Sequence, residues 1–468
     1  MKKNKMMLAV LLLFPCMTVS AQNEISLSLE ECKTMSKSND PYVRNAQLDL
    51  LSARAQKREA LAEYFPTVSL NAFGFQAIDP MLDIQVKDIL GNSDAANNLN
   101  YYIQTLGALY GIKTSYSALS SGYTASLTLT QPLYAGGRIA NGNRLASLGI
   151  EAASLRRNVK LRDNDEDVEQ KYWQVVSLED KMVALAQAVK LVDTLYKDVS
   201  SARLAGLSVE SDVMQVKLKR NELLSQKIQL EGGIRLAKMD LFNAIGVQYN
   251  PYRTTACDSL PYIDDIHLSD KLSGLSAPDK YYVPEEQAAR KMDENRLLEL
   301  SVDAKKLEKR IALGESLPQV GLGASYGYGH LIGDPRTNGV VFATVKIPIT
   351  DWAKTYNKVR RYGYEVQKAV NEKEYLDNQL ILQVRQLWVN LTCAWDQLQV
   401  AKESVSVAEQ TVRQLSTRYE AGLVPVSDLL EAQTELRSAQ NKLTDEEIAY
   451  CLALTKYRLR TEATGPRD

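Results

Sequence analysis

Landmarks in the first half of the chain return in the second half in the same order, and this internal duplication limits the possible folds more than any other feature. Pro348 lies 216 residues after Pro132, and the same separation relates Gly206 to Gly422 and Asp212 to Asp428. Trp173 and Trp388 correspond one residue off that register. Upstream, "EYFPTVSLNAFGF" (63–75) aligns with "ESLPQVGLGASYGY" (315–328), and "LTLTQPLYAGGRIANGNR" (127–144) aligns with "ATVKIPITDWAKTYNKVR" (343–360). One structural unit is therefore used twice. The copies differ mainly between their prolines: Pro66 to Pro132 is 66 residues, Pro318 to Pro348 only 30. The excess falls in 77–122, which reads as a surface loop, where added length costs little closure entropy.

Each copy holds two short segments of period two. In 123–133, Tyr123, Ala125, Leu127 and Leu129 alternate with Thr124, Ser126, Thr128 and Thr130. In 319–328, Val320, Leu322, Ala324, Tyr326 and Tyr328 alternate with glycine, serine and glutamine. In 340–349, Val341, Ala343, Val345, Ile347 and Ile349 share a face, and 67–76 begins the same way before blurring at Phe73 and Phe75. One such segment fits a half-buried strand in a soluble sheet. Four of them, each close to the length a membrane strand needs, favour an outer-membrane barrel with its apolar face outward. Four strands are too few to close one, and an open sheet would leave backbone groups unpaired in lipid. Several chains must then share a barrel. Pro66, Pro132, Pro318 and Pro348 are expected at the strand–helix junctions, since proline fixes φ and lacks a donor. Trp352, just past one junction, reads equally as an interfacial anchor or as a packing residue.

Between the strand pairs the chain turns helical. No proline interrupts 138–203 or 352–420, and at 1.5 Å per residue each run would reach roughly 100 Å. Helices of that length belong to coiled coils. In 428–460, Leu429, Leu436, Leu443, Tyr450 and Tyr457 recur every seven residues, with Ala432, Ala439, Glu446 and Ala453 as the companion series. That is a seam of large residues opposite mostly small ones. Gly206 and Gly422 are expected to end the long outgoing helices in the left-handed conformation. Pro425 keeps the crossing non-helical, while Asp212 and Asp428 are expected to cap the returning helices, with Gln215 and Glu431 three residues on.

The expected order is helix 28–63, strands 67–76 and 123–133 around the loop 77–122, long helix 138–203, turn 204–211 and helix 212–246. After a polar linker at 247–283 come helix 285–315, strands 319–328 and 340–349, long helix 352–420, turn 421–427 and helix 428–460. The first repeat is 22–246 and the second 284–468.

Export is written at the N-terminus. Basic "MKKNK" precedes the apolar run "MMLAVLLLFP", and small residues at 19–21 precede Gln22, so 1–21 is expected to be a secretory signal peptide. Cys16 admits a lipidated alternative, which Pro15 before it fits poorly. Beyond residue 21 no eighteen consecutive residues are apolar enough for a transmembrane helix. Without Lys2, Lys3 and Lys5 the net charge falls from -1 to -4, and no basic face is present to follow nucleic-acid phosphates.

At this point the residues name a family. "LSLEECKTMSKSNDPYVRNAQLDLLSARAQKREALAEYFPTVSL" (27–70) and "YEAGLVPVSDLLEAQTELRSAQNKLTDEEIAY" (419–450) resemble the TolC-like outer-membrane efflux proteins, and the similarity runs over nearly the whole chain beyond the signal peptide. The resemblance implies a mainly α fold with a membrane β-barrel part. Three chains would supply four strands each to a 12-stranded barrel, continuous with a periplasmic α-helical barrel. It implies as partners a periplasmic adaptor and an inner-membrane transporter of RND or ABC type. By the same resemblance the turns carrying Gly206, Leu207, Asp212, Gly422, Leu423, Pro425 and Asp428 are the periplasmic tips where adaptors dock. Asp198, Arg203, Arg413, Arg418, Tyr419 and Glu420 then fall in the gate zone. Taken singly, each of these also fits a solvated helix face, and the family's pair of constriction aspartates has no clear counterpart.

Catalytic chemistry is missing from the pattern. The only histidines, His267 and His330, form no metal spacing and no nucleophile–base order. "GLGASYGYG" lacks the helix and spacing of a phosphate loop, the methionines are scattered, and Cys32, Cys257, Cys393 and Cys451 match no zinc or redox motif. These cysteines read as small buried apolar residues. No cofactor and no enzymatic activity are expected. The leading function is a trimeric exit duct for small molecules. A conduit for type I protein secretion fits the same tunnel, and a periplasmic coiled-coil adaptor is the alternative from another class.

Overall fold

The computed structural model describes residues 25–462 apart from 80, 86, 87, 90, 92, 112–114, 207, 253–259, 273, 332 and 333. The signal-peptide reading (1–21, with Cys16) and Cys257 lie outside the described residues. In chain order the strands and helices are β1 (Ile25–Leu27), α1 (Leu29–Asn39), α2 (Pro41–Ala62), β2 (Thr67–Gln76), β3 (Leu82–Gln85), α3 (Asp94–Tyr110), β4 (Ser115–Ala118), β5 (Ser121–Ala135), α4 (Arg138–Leu204), α5 (Glu210–Ile245), β6 (Ile266–Leu268), α6 (Glu285–Lys291), α7 (Asp293–Gly314), β7 (Gln319–His330), β8 (Arg336–Lys346), α8 (Lys354–Glu420) and α9 (Val426–Thr461). The duplication is complete at this level. Helices α4 and α8 are both 67 residues long, α5 and α9 both 36, and all their ends keep the separation of 216.

The helices before each strand pair break where an unbroken helix is expected. Asp40 (φ -63°, ψ 124°) separates α1 from α2 because Pro41 bars its predecessor from the helical region. Its Oδ1 then accepts from the Val43 amide at 2.9 Å. Met292 (φ -68°, ψ 141°) breaks the second copy at the equivalent position without a proline; it is buried, and Asp293 and Glu294 open the next helix with charge that suits its N-terminal dipole.

Two compact units divide the chain. One comprises Asn45–Val159 and Glu285–Leu382. It holds an antiparallel sheet in the order β2-β5-β7-β8. Side chains alternate across it as period two requires. Val68, Leu70, Ala72, Ala125, Leu127, Leu129, Val320, Leu322, Ala324, Val341, Ala343 and Val345 share one face through their paired positions. Ser69, Asn71, Thr124, Ser126, Thr128, Gly323, Ser325 and Thr344 share the other. Phe73 and Phe75, which blur the alternation in the sequence, lie on this second face with ring centroids 5.9 Å apart. Phe342 also lies there, so close over Gly323 that a Cβ on the glycine would sit 2.2 Å from its ring. The apolar face is open: Leu70 is 74% and Val341 84% exposed.

The prolines divide. Pro66 and Pro318 stand between helix and strand, and Pro348 follows the end of β8. Pro132 is not at a junction but inside β5, at a bulge where the pairing with β7 shifts register before Tyr134. A bulge tolerates the missing N–H and lets the strand continue to Ala135. The strands after Pro318 and before Pro348 run over 319–330 and 336–346 instead of 319–328 and 340–349, since each extends as far as its partner does. The 77–122 segment is not a plain loop. It contains an antiparallel β3–β4 pair and, between the two strands in the chain, α3, which starts on a Ser93 cap and ends at left-handed Gly111 (φ 68°). Trp352 is 92% exposed, which removes packing within the chain as its role.

The other unit is built from the described parts of Met1–Arg44, Lys160–Pro284 and Gln383–Asp468. Its core gathers Cys32 from α1, Val168 and Tyr172 from α4, Leu241 and Phe242 from α5 and Ile448 from α9. The stretch between the repeats joins this core and is more than a polar linker. β6 pairs in parallel with β1, and Ile263 and Ile266 are fully buried. The Val283 amide donates to the Tyr457 hydroxyl at 3.0 Å, and the Tyr450 hydroxyl donates to the Ser276 carbonyl. Tyr450 and Tyr457 of the heptad seam thus hold the crossover. Leu429 and Ala432, nearer the start of α9, are also buried, and Glu446 is half-buried. No helix among the described residues is long and apolar enough to cross a membrane.

The cysteines do not behave alike. Cys32 is buried and Cys451 half-buried, and burial pushes both thiols up to about 12. Cys393 is exposed, against the expectation of a core thiol, because it falls on the outer side of α8. At pH 8 a thiol at about 12 holds only about one part in ten thousand thiolate. Iodoacetamide applied to the folded protein should therefore label Cys393 and spare Cys32 and Cys451. Peptide mass spectrometry checks this, and equal labelling of all three would contradict it.

Candidate functional site

The two helical turns have one design, in the unit just described. Helix α4 ends at Leu204 and α8 at Glu420, and the Gly206 and Gly422 amides donate at 2.9 Å to the carbonyls of Arg203 and Tyr419. Both glycines are left-handed (φ 75° and 70°) with open space around them, so conformation and not crowding explains the residue type. In the second turn the Leu423 amide also donates to the Arg418 carbonyl at 2.9 Å, closing the helix end as a Schellman-type cap does.

The returning helices start two residues earlier than expected. Val209 (ψ 158°) and Pro425 (ψ 160°) are the N-cap residues, and neither offers a side-chain cap. Asp212 and Asp428 therefore stand at the third helical position and are not caps. They place negative charge in the first turn, where the helix dipole favours it. Each accepts from a neighbouring serine: Ser208 Oγ at 3.0 Å from Asp212, Ser427 Oγ at 3.1 Å from Asp428.

Beneath the turns a hydrophobic cluster joins both copies. Leu195 and Val199 of α4 and Val216 of α5 pack with Val426, Leu429 and Leu430 of α9, and Leu415 and Tyr419 of α8 flank them. Of these residues the sequence reading singled out only Leu429, in the heptad seam, and Tyr419, in the gate zone. Leu185, Val192 and Val199 stand at seven-residue spacing and carry the signal that would have found the others. Tyr419 also brings the copies together electrically. Burial raises its phenol above the ordinary value, and the carboxylates of Asp212 and Asp198 raise it further.

The remaining gate-zone residues are exposed on the surface of the chain. Arg203 forms an ion pair with Glu210 across its own turn. Arg413 lies 3.5 Å from Glu409 on the same helix. Asp198, Arg418 and Glu420 are exposed, as are Gly206, Gly422, Leu423, Pro425 and Asp428 at the turns. Leu207 lies outside the described residues. Among the described residues no group of three or more histidine, cysteine, aspartate or glutamate side chains is placed to hold a metal ion.

One duplicated chain thus carries paired hairpin tips on long helices and an open sheet bare on its apolar face. The profile of the outer membrane efflux protein family matches 34–247 and 296–455, most of both copies. The chain belongs to the outer membrane efflux protein family. Its place is the outer membrane of a Gram-negative cell, with the helices extending into the periplasm. Among solved structures it is similar to a membrane protein from Pseudomonas aeruginosa at 16% identity and a TM-score of 0.72, covering 93% of this chain and 90% of that one. The outer membrane channel CmeC of Campylobacter jejuni gives 14%, 0.71, 93% and 85%. The outer membrane protein VceC of Vibrio cholerae gives 16%, 0.68, 92% and 96%. At these identities the likeness speaks for the fold alone. No curated protein matches the sequence. An outer membrane efflux protein meets the membrane with strands, and the bare apolar face of the β2-β5-β7-β8 sheet suits that.

Proposed function

We propose that this outer membrane efflux protein is a homotrimeric exit duct that passes small molecules from the periplasm to the exterior, without catalysis. Three copies complete a 12-stranded barrel, and their helices line a tunnel that closes at the hairpin tips. A periplasmic adaptor docks on the exposed tip residues, Gly206, Leu423, Pro425 and Asp428 among them, and links the duct to an inner-membrane transporter of RND or ABC type. The observation that carries this reading is the sheet, which leaves both edge strands unpaired and one apolar face uncovered. Lipid covers the apolar face, but it does not tolerate the unpaired edges unless further chains close the ring. Release from cells as a soluble periplasmic monomer would overturn the proposal; recovery from outer membranes as a detergent-stable trimer supports it.

The exposed arginines approaching the tip carry a second test. Three copies of Arg413 and Arg418 would ring the narrow end of the tunnel with positive charge and repel cations there. Arg413→Ala together with Arg418→Ala is expected to raise single-channel conductance in planar bilayers, most strongly for cations. Conductance and selectivity equal to the parent channel would remove these residues from the gate.

A further inference from the structure

The two hairpins of the sheet share one register. Thr67 pairs with Thr130 and Leu70 with Leu127; Gln319 pairs with Lys346 and Leu322 with Ala343. Moving β2 on by 252 residues and β5 on by 216 reproduces the second hairpin from the first. Inside the chain the hairpins meet through β5 and β7, where Thr128 pairs with Ser325, Leu129 with Ala324 and Gln131 with Leu322. The edge strands β8 and β2 are the copies of β5 and β7. The two edges are thus the halves of a contact the chain already makes once.

Strand length points the same way. β5 runs beyond its hairpin pairing through 131–135 because β7 lies alongside. β8 stops at Lys346, the equivalent of Thr130, and no strand pairs with 347–351. Ile347 and Ile349 there are exposed. We propose that β8 and the segment following it pair antiparallel with β2 of a second copy of this chain, in the register of β5 on β7. Thr344 then lies opposite the next copy's Phe73, Val345 opposite its Ala72, and Ile347 opposite its Leu70. This rests on the ring of chains proposed above and adds its seam.

The faces agree with this register. Val345 and Ile347 meet Ala72 and Leu70 on the apolar side, while Phe342 and Thr344 meet Phe75 and Phe73 on the other. A slip of one residue would bring apolar positions to the polar face along the whole strand. The copy departs from its template at one end. Gly136 is left-handed and so close to Gly314 that a Cβ would sit 2.1 Å from its carbonyl oxygen. Trp352 and Ala62 occupy the equivalent positions and cannot repeat that seat, although Trp352 and Ala353 keep the left-handed backbone of Gly136 and Gly137 (φ 54° and 62°). The seam is therefore tested higher on the strands.

Double variants of the full chain in outer membranes test it, in a Cys393→Ser background. Val345→Cys with Ala72→Cys and Thr344→Cys with Phe73→Cys sample consecutive positions, which alternate between narrow and wide pairs in an antiparallel ladder. Oxidation is expected to shift the protein from monomer to disulfide-linked dimer and trimer on non-reducing gels. Val345→Cys with Leu70→Cys or with Gly74→Cys, each two residues out of register, should stay monomeric. Cross-linking of the shifted pairs with the in-register pairs silent would overturn the register and leave the ring standing. No interchain product from any pair would overturn both.

Discussion

Glu169→Ala is expected to destabilise the helical unit by about 3–5 kcal/mol, the range seen when one partner of a buried ion pair is removed. Glu169 lies on α4 and is 3% exposed. Its Oε2 accepts from Lys33 Nζ of α1 at 2.7 Å, and its Oε1 from Thr455 Oγ1 of α9 at 2.6 Å and Trp173 Nε1 at 3.4 Å. Three helices from distant parts of the sequence thus share one carboxylate. Its removal leaves the Lys33 ammonium, itself mostly buried, with Glu30 at 3.8 Å as its carboxylate partner among the described residues, an exposed one that compensates little. Glu169→Gln keeps an acceptor for Thr455 and loses the charge, so it should fall between. Lys33→Met with Glu169→Leu should recover much of the loss, since removing both charges also removes their desolvation cost. Denaturant midpoints and slopes of the helical circular-dichroism signal measure all three. A loss under 1 kcal/mol for Glu169→Ala would show that the carboxylate does not organise this junction.

In the sequence Glu169 is one more charge on a long helix. What was legible was local or repeated. Alternation marked the strands, the missing prolines marked α4 and α8, and the paired glycines marked the turns. Each of these signals lies within a few residues of the structure it reports. What escaped depends on partners far along the chain. Pro132 reads as a boundary until β7 is seen to carry the strand past it through a bulge. Met292 breaks a helix with no proline to announce it, and only comparison with Asp40 makes the break intelligible. The β1–β6 pair joins three-residue strands, too short for any alternation to show. At the tips, Asp212 and Asp428 suggested caps because capping residues are usually polar, yet an extended Val209 and Pro425 start the helices. The buried contacts that join the two tips were missed because their residue types are those of any helical core.

Those contacts carry the largest functional effect expected. Val426 is the first residue of α9 and is 3% exposed, packed where α4, α5 and α9 converge beneath both turns. Burying such a side chain contributes about 1.5–3 kcal/mol. Val426→Asp forfeits that and places a carboxylate in an apolar site, at a cost of several kcal/mol unless the site opens to water. The N-terminal dipole of α9 returns only about 0.3–1 kcal/mol, so opening wins. If the duct closes by holding its hairpin tips together, the variant should conduct several-fold better than the parent in planar bilayers. Burial also raises the carboxyl's titration point, so the extra conductance should shrink as pH falls and the side chain becomes neutral. Ser427→Asp adds the same charge one residue on, at an exposed position, and should leave conductance unchanged. Equal conductance for a folded Val426→Asp channel and its parent would mean that the cluster plays no part in closing the tunnel. A rise in both variants would assign the effect to charge at the tip and not to the packing that joins the two copies.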